Sequence, residues 1–270
     1  MAKIVGVGDN VVDKYINKRM MFPGGNAVNV AVLAHRYGAS ASYVGWLGDD
    51  IYGQLIMSAL KDEGITITNC YMFEGETTFV EITLIDGNRT FGKVRRGMSG
   101  KISLTETDYK FISQHDLTHS SIYSNLEKSI QELSKASKLL SFDFSSDWSD
   151  EYLQKIAPYV NIAILSLEEQ TKTDIEAKAQ WIYDLGPELV LLTQGEKGAY
   201  LYDGSKLWHQ RIIPTKVIDT LGAGDAFAAR FLVEYLEKQP VDKALTKAAE
   251  AAAETCGYFG AFGHGKEIEQ

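Results

Sequence analysis

At 270 residues, with 45% hydrophobic and 23% charged side chains, the chain is long enough to bury a full α/β core and has the makeup of an ordinary soluble globular protein. A formal net charge of −9 excludes nonspecific nucleic-acid binding, because the short cluster Lys93, Arg95, Arg96 is no basic stripe able to displace counterions from phosphates. Cys70 and Cys256 lack metal-ligand spacing and read as reduced thiols in a cytoplasmic protein, and no apolar run has the length of a membrane span or of a secretory signal.

Lys3–Val7 reads as a short buried strand. The glycines that follow, in Gly6-Val7-Gly8-Asp9-Asn10-Val11, invite a dinucleotide-binding reading, but the third glycine position holds Val11 and no convincing helix start follows. The alternative is a strand-end turn at Gly8 that sets Asp9, Asn10 and Asp13 at the rim of a site, where short polar side chains suit sugar hydroxyls; a solvated turn fits these residues equally. Lys14–Phe22 is expected as an exposed strand. Pro23-Gly24-Gly25 then leads into a small-residue helix that closes at Gly38, with Asn26 as a candidate N-cap and the paired glycines letting backbone approach a ligand closely. Ala41–Leu47 is expected as a strand, and Gly48-Asp49-Asp50 opens a helix running to about Glu63, with its acids at the positive end.

Between Cys70 and Met98 the pattern changes to strands without intervening helices. Thr77–Ile85 and Asn88–Arg96 form a hairpin about Asp86-Gly87. Segments from about 14–22 and 70–98 are therefore expected to build a small sheet projecting from the main layer, whose open edges favour pairing with a second copy of the chain. The βα rhythm then resumes: helix Thr105–His115, strand Asp116–Tyr123, helix Leu126–Ser137, and strand Leu139–Ser145, whose carboxyl end carries Trp148, read first as a core residue. Asn161–Glu169 is a strand running into a helix, Glu188–Thr193 a strand, Gln194–Ala199 a turn, Tyr200–Arg211 a hairpin, and Lys243–Tyr258 an Ala-rich helix.

Before that last helix stands Asp219-Thr220-Leu221-Gly222-Ala223-Gly224-Asp225, entering an apolar periodic run. Two glycines at a helix start aim backbone N–H groups outward, and with the positive end of the helix dipole they cradle a phosphate. Asp225 puts a carboxylate where such a loop ordinarily avoids one. That carboxylate is either a plain N-cap or a base.

The whole string, with Pro23-Gly24-Gly25-Asn26-Ala27-Val28-Asn29 upstream, resembles the signatures of the ribokinase, or PfkB, family of carbohydrate kinases. The resemblance spans nearly the whole chain, and its form is similar to the fructoselysine (fructosamine) 6-kinases, on Gly8-Asp9-Asn10-Val11-Val12-Asp13, the Gly-Gly segment and Phe142-Asp143-Phe144-Ser145. It implies a ribokinase-like doubly wound α/β sheet flanked by helices, one unit over residues 1–270, with a small β-sheet lid through which subunits pair. It implies ATP with Mg2+ as phosphoryl donor and the 6-hydroxyl of a ketosamine as acceptor. On that reading Asp225 is the base, the backbone of Gly222, Ala223 and Gly224 stabilises the transferring phosphoryl group, and Asp13, Gly24, Gly25 and Asn29 join Asp9 and Asn10 around the sugar. Arg95 is a candidate for an acidic or phosphate group, and Thr193, Gly195 and Gly198 match a nucleotide-binding turn. The family's Asn-x-x-Glu appears here as Ser166-x-x-Glu169, so Glu169 is expected to hold Mg2+ through water. Asp219 and the Leu221 carbonyl correspond to a monovalent-cation site, with K+ as the ion, and Ala249 stands where relatives place a polar residue near adenine. Fructokinase or another hexose or pentose kinase is the alternative substrate reading. A sugar-binding regulator without catalysis has no need of Asp225.

Overall fold

The computed structural model describes residues 1–85, 88–168 and 170–268, so the Asp86-Gly87 turn and Glu169 lie outside the described residues. In chain order the elements are β1 (Lys3–Val7), β2 (Val11–Tyr15), β3 (Met20–Gly24), α1 (Asn26–Arg36), β4 (Ser40–Gly48), α2 (Ile51–Asp62), β5 (Cys70–Phe73), β6 (Phe79–Ile85) and β7 (Asn88–Arg95). There follow α3 (Glu106–Ile112), β8 (Leu117–Ser121), α4 (Ile130–Ala136), β9 (Leu140–Asp143), α5 (Asp150–Ile156), β10 (Ile162–Ser166) and α6 (Lys172–Asp184). The chain continues through β11 (Leu189–Thr193), β12 (Ala199–Tyr202), β13 (Leu207–Gln210), α7 (Ala223–Leu236), α8 (Val241–Thr255) and β14 (Lys266–Glu267).

A nine-stranded sheet runs in the order β13-β12-β11-β10-β9-β8-β1-β4-β5, parallel from β11 to β5 and closed on one side by the antiparallel pair β12 and β13. Strands such as β10 and β11 are apolar on both faces, as a sheet covered by helices on either side requires. Along β10, Ile162 and Ile164 enter the core beneath α1, α2, α7 and α8, while Ala163 and Leu165 enter the core beneath α3 to α6. β11 divides in the same way, Leu189 and Leu191 to one side and Val190 and Leu192 to the other. The result is the ribokinase-like three-layer α/β architecture.

A second sheet, of order β14-β3-β2-β6-β7, stands beside the first. It differs from the expected lid in three respects. Cys70–Phe73 does not join it but pairs in parallel with β4, extending the large sheet by one edge strand. Lys14–Phe22 is not one strand: a 3-10 turn at Ile16–Lys18 and a left-handed Arg19 fold it into the β2–β3 hairpin. Finally, Lys266–Glu267 adds an edge strand to β3 from the far end of the chain, a pairing of only two residues that periodicity has no power to detect.

Local chemistry sets the helix starts. Asp50 caps α2 by accepting from the Gly53 N–H at 2.8 Å, and Thr105 with Asp108 forms a capping box on α3. α7 matters most for function because it is wedged against α1 and α8 with Ala226, Ala228, Ala229, Phe231 and Leu232 buried, and this packing fixes where its N-terminus points. Phe231→Ala is expected to cost ~3–5 kcal/mol of stability, as an emptied aromatic site in a packed core does. A urea-unfolding midpoint equal to that of the unaltered protein would contradict this packing.

Candidate active site

The loop before α7 turns at Gly222, which adopts φ +77° and sits so close to Ala261 that a Cβ would lie 2.5 Å from that residue's Cβ. Only glycine fits there. The Ala226 N–H closes the first helical turn onto the Gly222 carbonyl at 2.8 Å, and the amides of the first turn ahead of it have no carbonyl of their own helix to bond. Around Gly224 nothing lies within 4 Å of the Cβ position. An anion therefore has room at the positive end of a well-packed helix.

Asp225 stands in this first turn and is held from α1. Asn26 Nδ2 donates to its Oδ1 at 2.8 Å, and Asn29 Nδ2 donates to its Oδ2 at 2.6 Å. The two asparagines are three residues apart and so share a helix face. Two amide N–H bonds fix the plane of the carboxylate while leaving it lone pairs for an incoming hydroxyl. Asn26, a candidate helix cap by sequence, caps nothing: Gly25 occupies the N-cap position, and no side-chain cap bond forms.

Asn26 does more than hold Asp225. The same Nδ2 donates to Asp143 Oδ2 at 2.8 Å, and the amide oxygen meets His119 Nε2 at 2.8 Å. Asp143 also accepts from the Ser145 N–H at 2.7 Å. Burial first, and then the charge of Asp225, push the Asp143 carboxyl up to about 7. His119 is fully buried and its other ring nitrogen lies 2.7 Å from Ser141 Oγ. Burial pushes its pKa down to about 3, so the ring is neutral.

Asp9, expected at the sugar rim, turns inward instead. Its Oδ2 accepts from the Asn26 N–H at 2.6 Å, while its Oδ1 accepts from the Ala27 N–H at 3.2 Å and from the hydroxyls of Ser121 at 2.8 Å and Ser124 at 3.0 Å. With four donors it is the anion at the N-terminus of α1, although burial still raises its pKa. It positions the helix that positions Asp225. Asn10 is likewise committed on its donor side, to Tyr43 Oη at 2.8 Å and the Trp46 carbonyl at 2.9 Å.

Asp13 and Asn29, expected around the sugar, are both buried. Asp13 Oδ2 lies only 2.4 Å from where a Gly24 Cβ would stand, and a Gly25 side chain would strike the backbone of Asn10 at 2.6 Å, so both glycines are required by close packing between β2, β3 and the start of α1. Asn29 Oδ1 and Asn10 Oδ1 are buried acceptors without a hydrogen-bond partner among the described residues. Arg95 is half-exposed and ion-paired with Glu76. Trp148 packs against the core with Lys178 over its ring, as a core residue should.

On the nucleotide side, the carboxyl ends of β9, β10 and β11 lie in register, Asp143 beside Ile164 and Ser166 beside Thr193, with Thr193 Oγ1 3.2 Å from Ser166 Oγ. Gly195 has φ +52° with open space around it, and Gly198 has φ +92° with its Cα against the Gln210 carbonyl. Asp219 is fully buried; its Oδ2 accepts from Tyr15 Oη at 2.5 Å and the Gly260 N–H at 3.1 Å, and its Oδ1 from the Leu221 N–H at 3.0 Å. Glu169 lies outside the described residues.

Sequence reading gave Asn26 only as a candidate helix cap, quoted Asp143 only as part of a motif, and missed His119 and Ser141 altogether. His119 carries no motif. Its one signal is a histidine in a strand followed by Ser120 and Ser121, a run of polar residues where a buried parallel strand is ordinarily apolar.

Compared with known proteins, the chain matches the pfkB family of carbohydrate kinases over residues 4–264. It is 40% identical over 267 residues to the fructosamine kinase FrlD of Bacillus subtilis, covering 97% of this chain and 94% of that protein. It is 35% identical over 262 residues to the fructoselysine 6-kinase of Escherichia coli, covering 97% of this chain and all of the other. Among solved structures, Arabidopsis thaliana ribokinase complexed with ribose and ATP superposes with a TM-score of 0.82 at 22% identity, over 97% of this chain and 95% of that one.

The Asp143 geometry has a measurable consequence. Its native pKa lies above the unfolded one, so the folded chain holds the extra proton and stability falls as the pH rises from about 4 through about 7. Relative to the unaltered protein, Asp143→Asn is expected to gain on the order of 1–3 kcal/mol between the ends of that window. Urea unfolding at a series of pH values measures it, and a difference that stays flat with pH would refute the assignment.

Proposed function

We propose, because this chain belongs to the pfkB family of carbohydrate kinases, that its acceptor is the 6-hydroxyl of fructoselysine or a related fructosamine. The chain is an ATP-dependent carbohydrate kinase. The acceptor reading is supported by near full-length similarity to the two fructosamine-type kinases and by the Gly-Asp-Asn-x-x-Asp form of Gly8–Asp13, which resembles the fructoselysine 6-kinases.

The observation that carries the chemistry is a carboxylate clamped by two amides in the first turn of a helix whose next residue back, Gly224, faces open space. Asp225 takes the proton of the hydroxyl as its oxygen bonds to the γ-phosphorus. The bond from that phosphorus to the bridging oxygen breaks, and ADP leaves. The backbone from Gly222 to Gly224 meets the charge on the transferring oxygens, and Asp13 and the free acceptor of Asn29 orient the sugar. The hard oxygens of Asp143, Ser166 and Thr193 along the nucleotide edge fit Mg2+ held mostly by waters. When bound with ATP, that ion neutralises charge on the β- and γ-phosphates. Thr193, Gly195 and Gly198 form the nucleotide turn in this reading.

K+ on Asp219 and the Leu221 carbonyl belongs to the same reading. It is supported by a fully buried carboxylate whose three donors, Tyr15, Leu221 and Gly260, are all neutral, so its charge has no counter-ion within hydrogen-bonding reach among the described residues. A second copy of the chain on the outer strand β7 of the small sheet completes it, supported by the exposure of Phe91 and Val94 on that strand and of Ile85 at the end of β6. A cytoplasmic location accords with Cys70 and Cys256 forming no disulfide among the described residues, and no helix among the described residues is long and apolar enough to cross a membrane.

Asp225→Asn is expected to lower kcat by ~100-fold or more, the usual worth of a general base. Turnover near that of the unaltered protein would rule the base out. With ATP and a panel of fructoselysine, other fructosamines, fructose and ribose, kcat/KM is expected to be highest for a fructosamine; fructose ahead of every fructosamine would overturn the acceptor. Phe91→Asp is expected to convert a dimer to a monomer by light scattering, and a monomer before any substitution would remove the pairing from this reading.

A further inference from the structure

An asparagine amide has two ends of nearly the same size and opposite hydrogen-bonding sense. At Asn26 the ends have very different neighbours: Nδ2 faces Asp143 Oδ2 and Asp225 Oδ1, each at 2.8 Å, and Oδ1 faces His119 Nε2 at 2.8 Å. Turned over, the amide would press its oxygen against two carboxylates. What holds it the right way round lies behind it, on β8 and β9.

We propose that Ser141, His119 and Asn26 form a positioning chain that commits the Asn26 amide to its donor orientation and thereby aims Asp225 at the acceptor hydroxyl. This rests on the reading of Asp225 as the base. An amide oxygen only accepts, so His119 Nε2 carries the ring hydrogen. His119 Nδ1 is then the acceptor, and the Ser141 hydroxyl, 2.7 Å away, donates to it. The histidine is buried and neutral, and no proton passes along the chain; what passes is direction. One amide hydrogen goes to Asp225 and the other to Asp143, while Asn29 Nδ2 holds the second oxygen of Asp225. The titratable groups facing Asn26 are Asp9 from the loop after β1, His119 from β8, Asp143 from β9 and Asp225 from α7. Three of the four are carboxyls, so a loosened amide changes how tightly protons are held as well as where the base points.

The chain separates from a merely structural histidine by its kinetics. In the full-length protein, His119→Leu removes the donor, and kcat is expected to fall ~10-fold or more, as misaimed groups cost, with KM for sugar and ATP little changed. The acid limb of the kcat profile is expected to move to higher pH, because the carboxylates lose the committed amide. His119→Gln keeps an N–H at the position of Nε2 and is expected to stay within ~3-fold of the unaltered enzyme with the acid limb in place. Folded His119→Leu protein with unaltered kcat and acid limb would overturn the chain, as would His119→Gln falling as far as His119→Leu. If His119→Leu does not fold, Ser141→Ala decides. It is expected to lower kcat several-fold at constant KM and to shift the same limb, and an unchanged profile overturns the chain. Asp225→Asn separates the two ideas: activity there removes the base itself, whereas inactivity there with unaltered His119→Leu kinetics removes only the chain behind it.

Discussion

Two carboxylates, one buried at Asp143 and one half-buried at Asp225, facing one side-chain amide set the constraint under which this molecule is built. Asp143 and Asp225 come from β9 and α7, far apart in sequence, and both depend on Asn26 for a hydrogen-bond donor. Like charges that close raise each other's proton affinity, and a base must stay deprotonated to act. The surrounding residues answer that demand with donors alone: Asn29 on the far oxygen of Asp225, the Ser145 N–H on Asp143, and the N-terminal dipole of α7 beneath.

The fold supplies the positions. A parallel sheet brings the carboxyl ends of β1, β8, β9, β10 and β11 to one edge, and the helices that follow point their positive ends at it. Asp9 fixes the start of α1 with four hydrogen bonds; α1 carries Asn26 and Asn29; these hold the first residue turn of α7 from the side, while α8 holds the rest of α7 from behind. Asp225 is thus held through a series of links, none of which is Asp225 itself.

Much of this was legible in the sequence because the decisive segments are local. Gly222 and Gly24 announce backbone that must turn sharply or pass close to a neighbour, and β10 and β11 announce themselves by apolar runs of strand length. What escaped was pairing between distant residues. Nothing within reach of Asn26 in sequence distinguishes a cap from a ligand of Asp225, since both uses need the same short amide at the same helix start. Asp9 looked like a sugar ligand for a similar reason: a carboxylate after a strand serves a helix N-terminus and a hydroxyl equally well, and only the presence of Ser121 and Ser124, more than a hundred residues on, decides. Cys70–Phe73 resembled lid sequence because an edge strand of either sheet is short and half-exposed.

The segment after α8 touches both halves of the site at once. Ala261 packs on Gly222, the Gly260 N–H reaches Asp219, Phe259 lies edge-on to Tyr15, and Lys266–Glu267 zips onto β3. These residues are synthesised after every other element of the active site. A nascent chain can therefore lay down the sheet and most of its helices while the Gly222 loop still lacks its backing, which arrives only when this late strap closes.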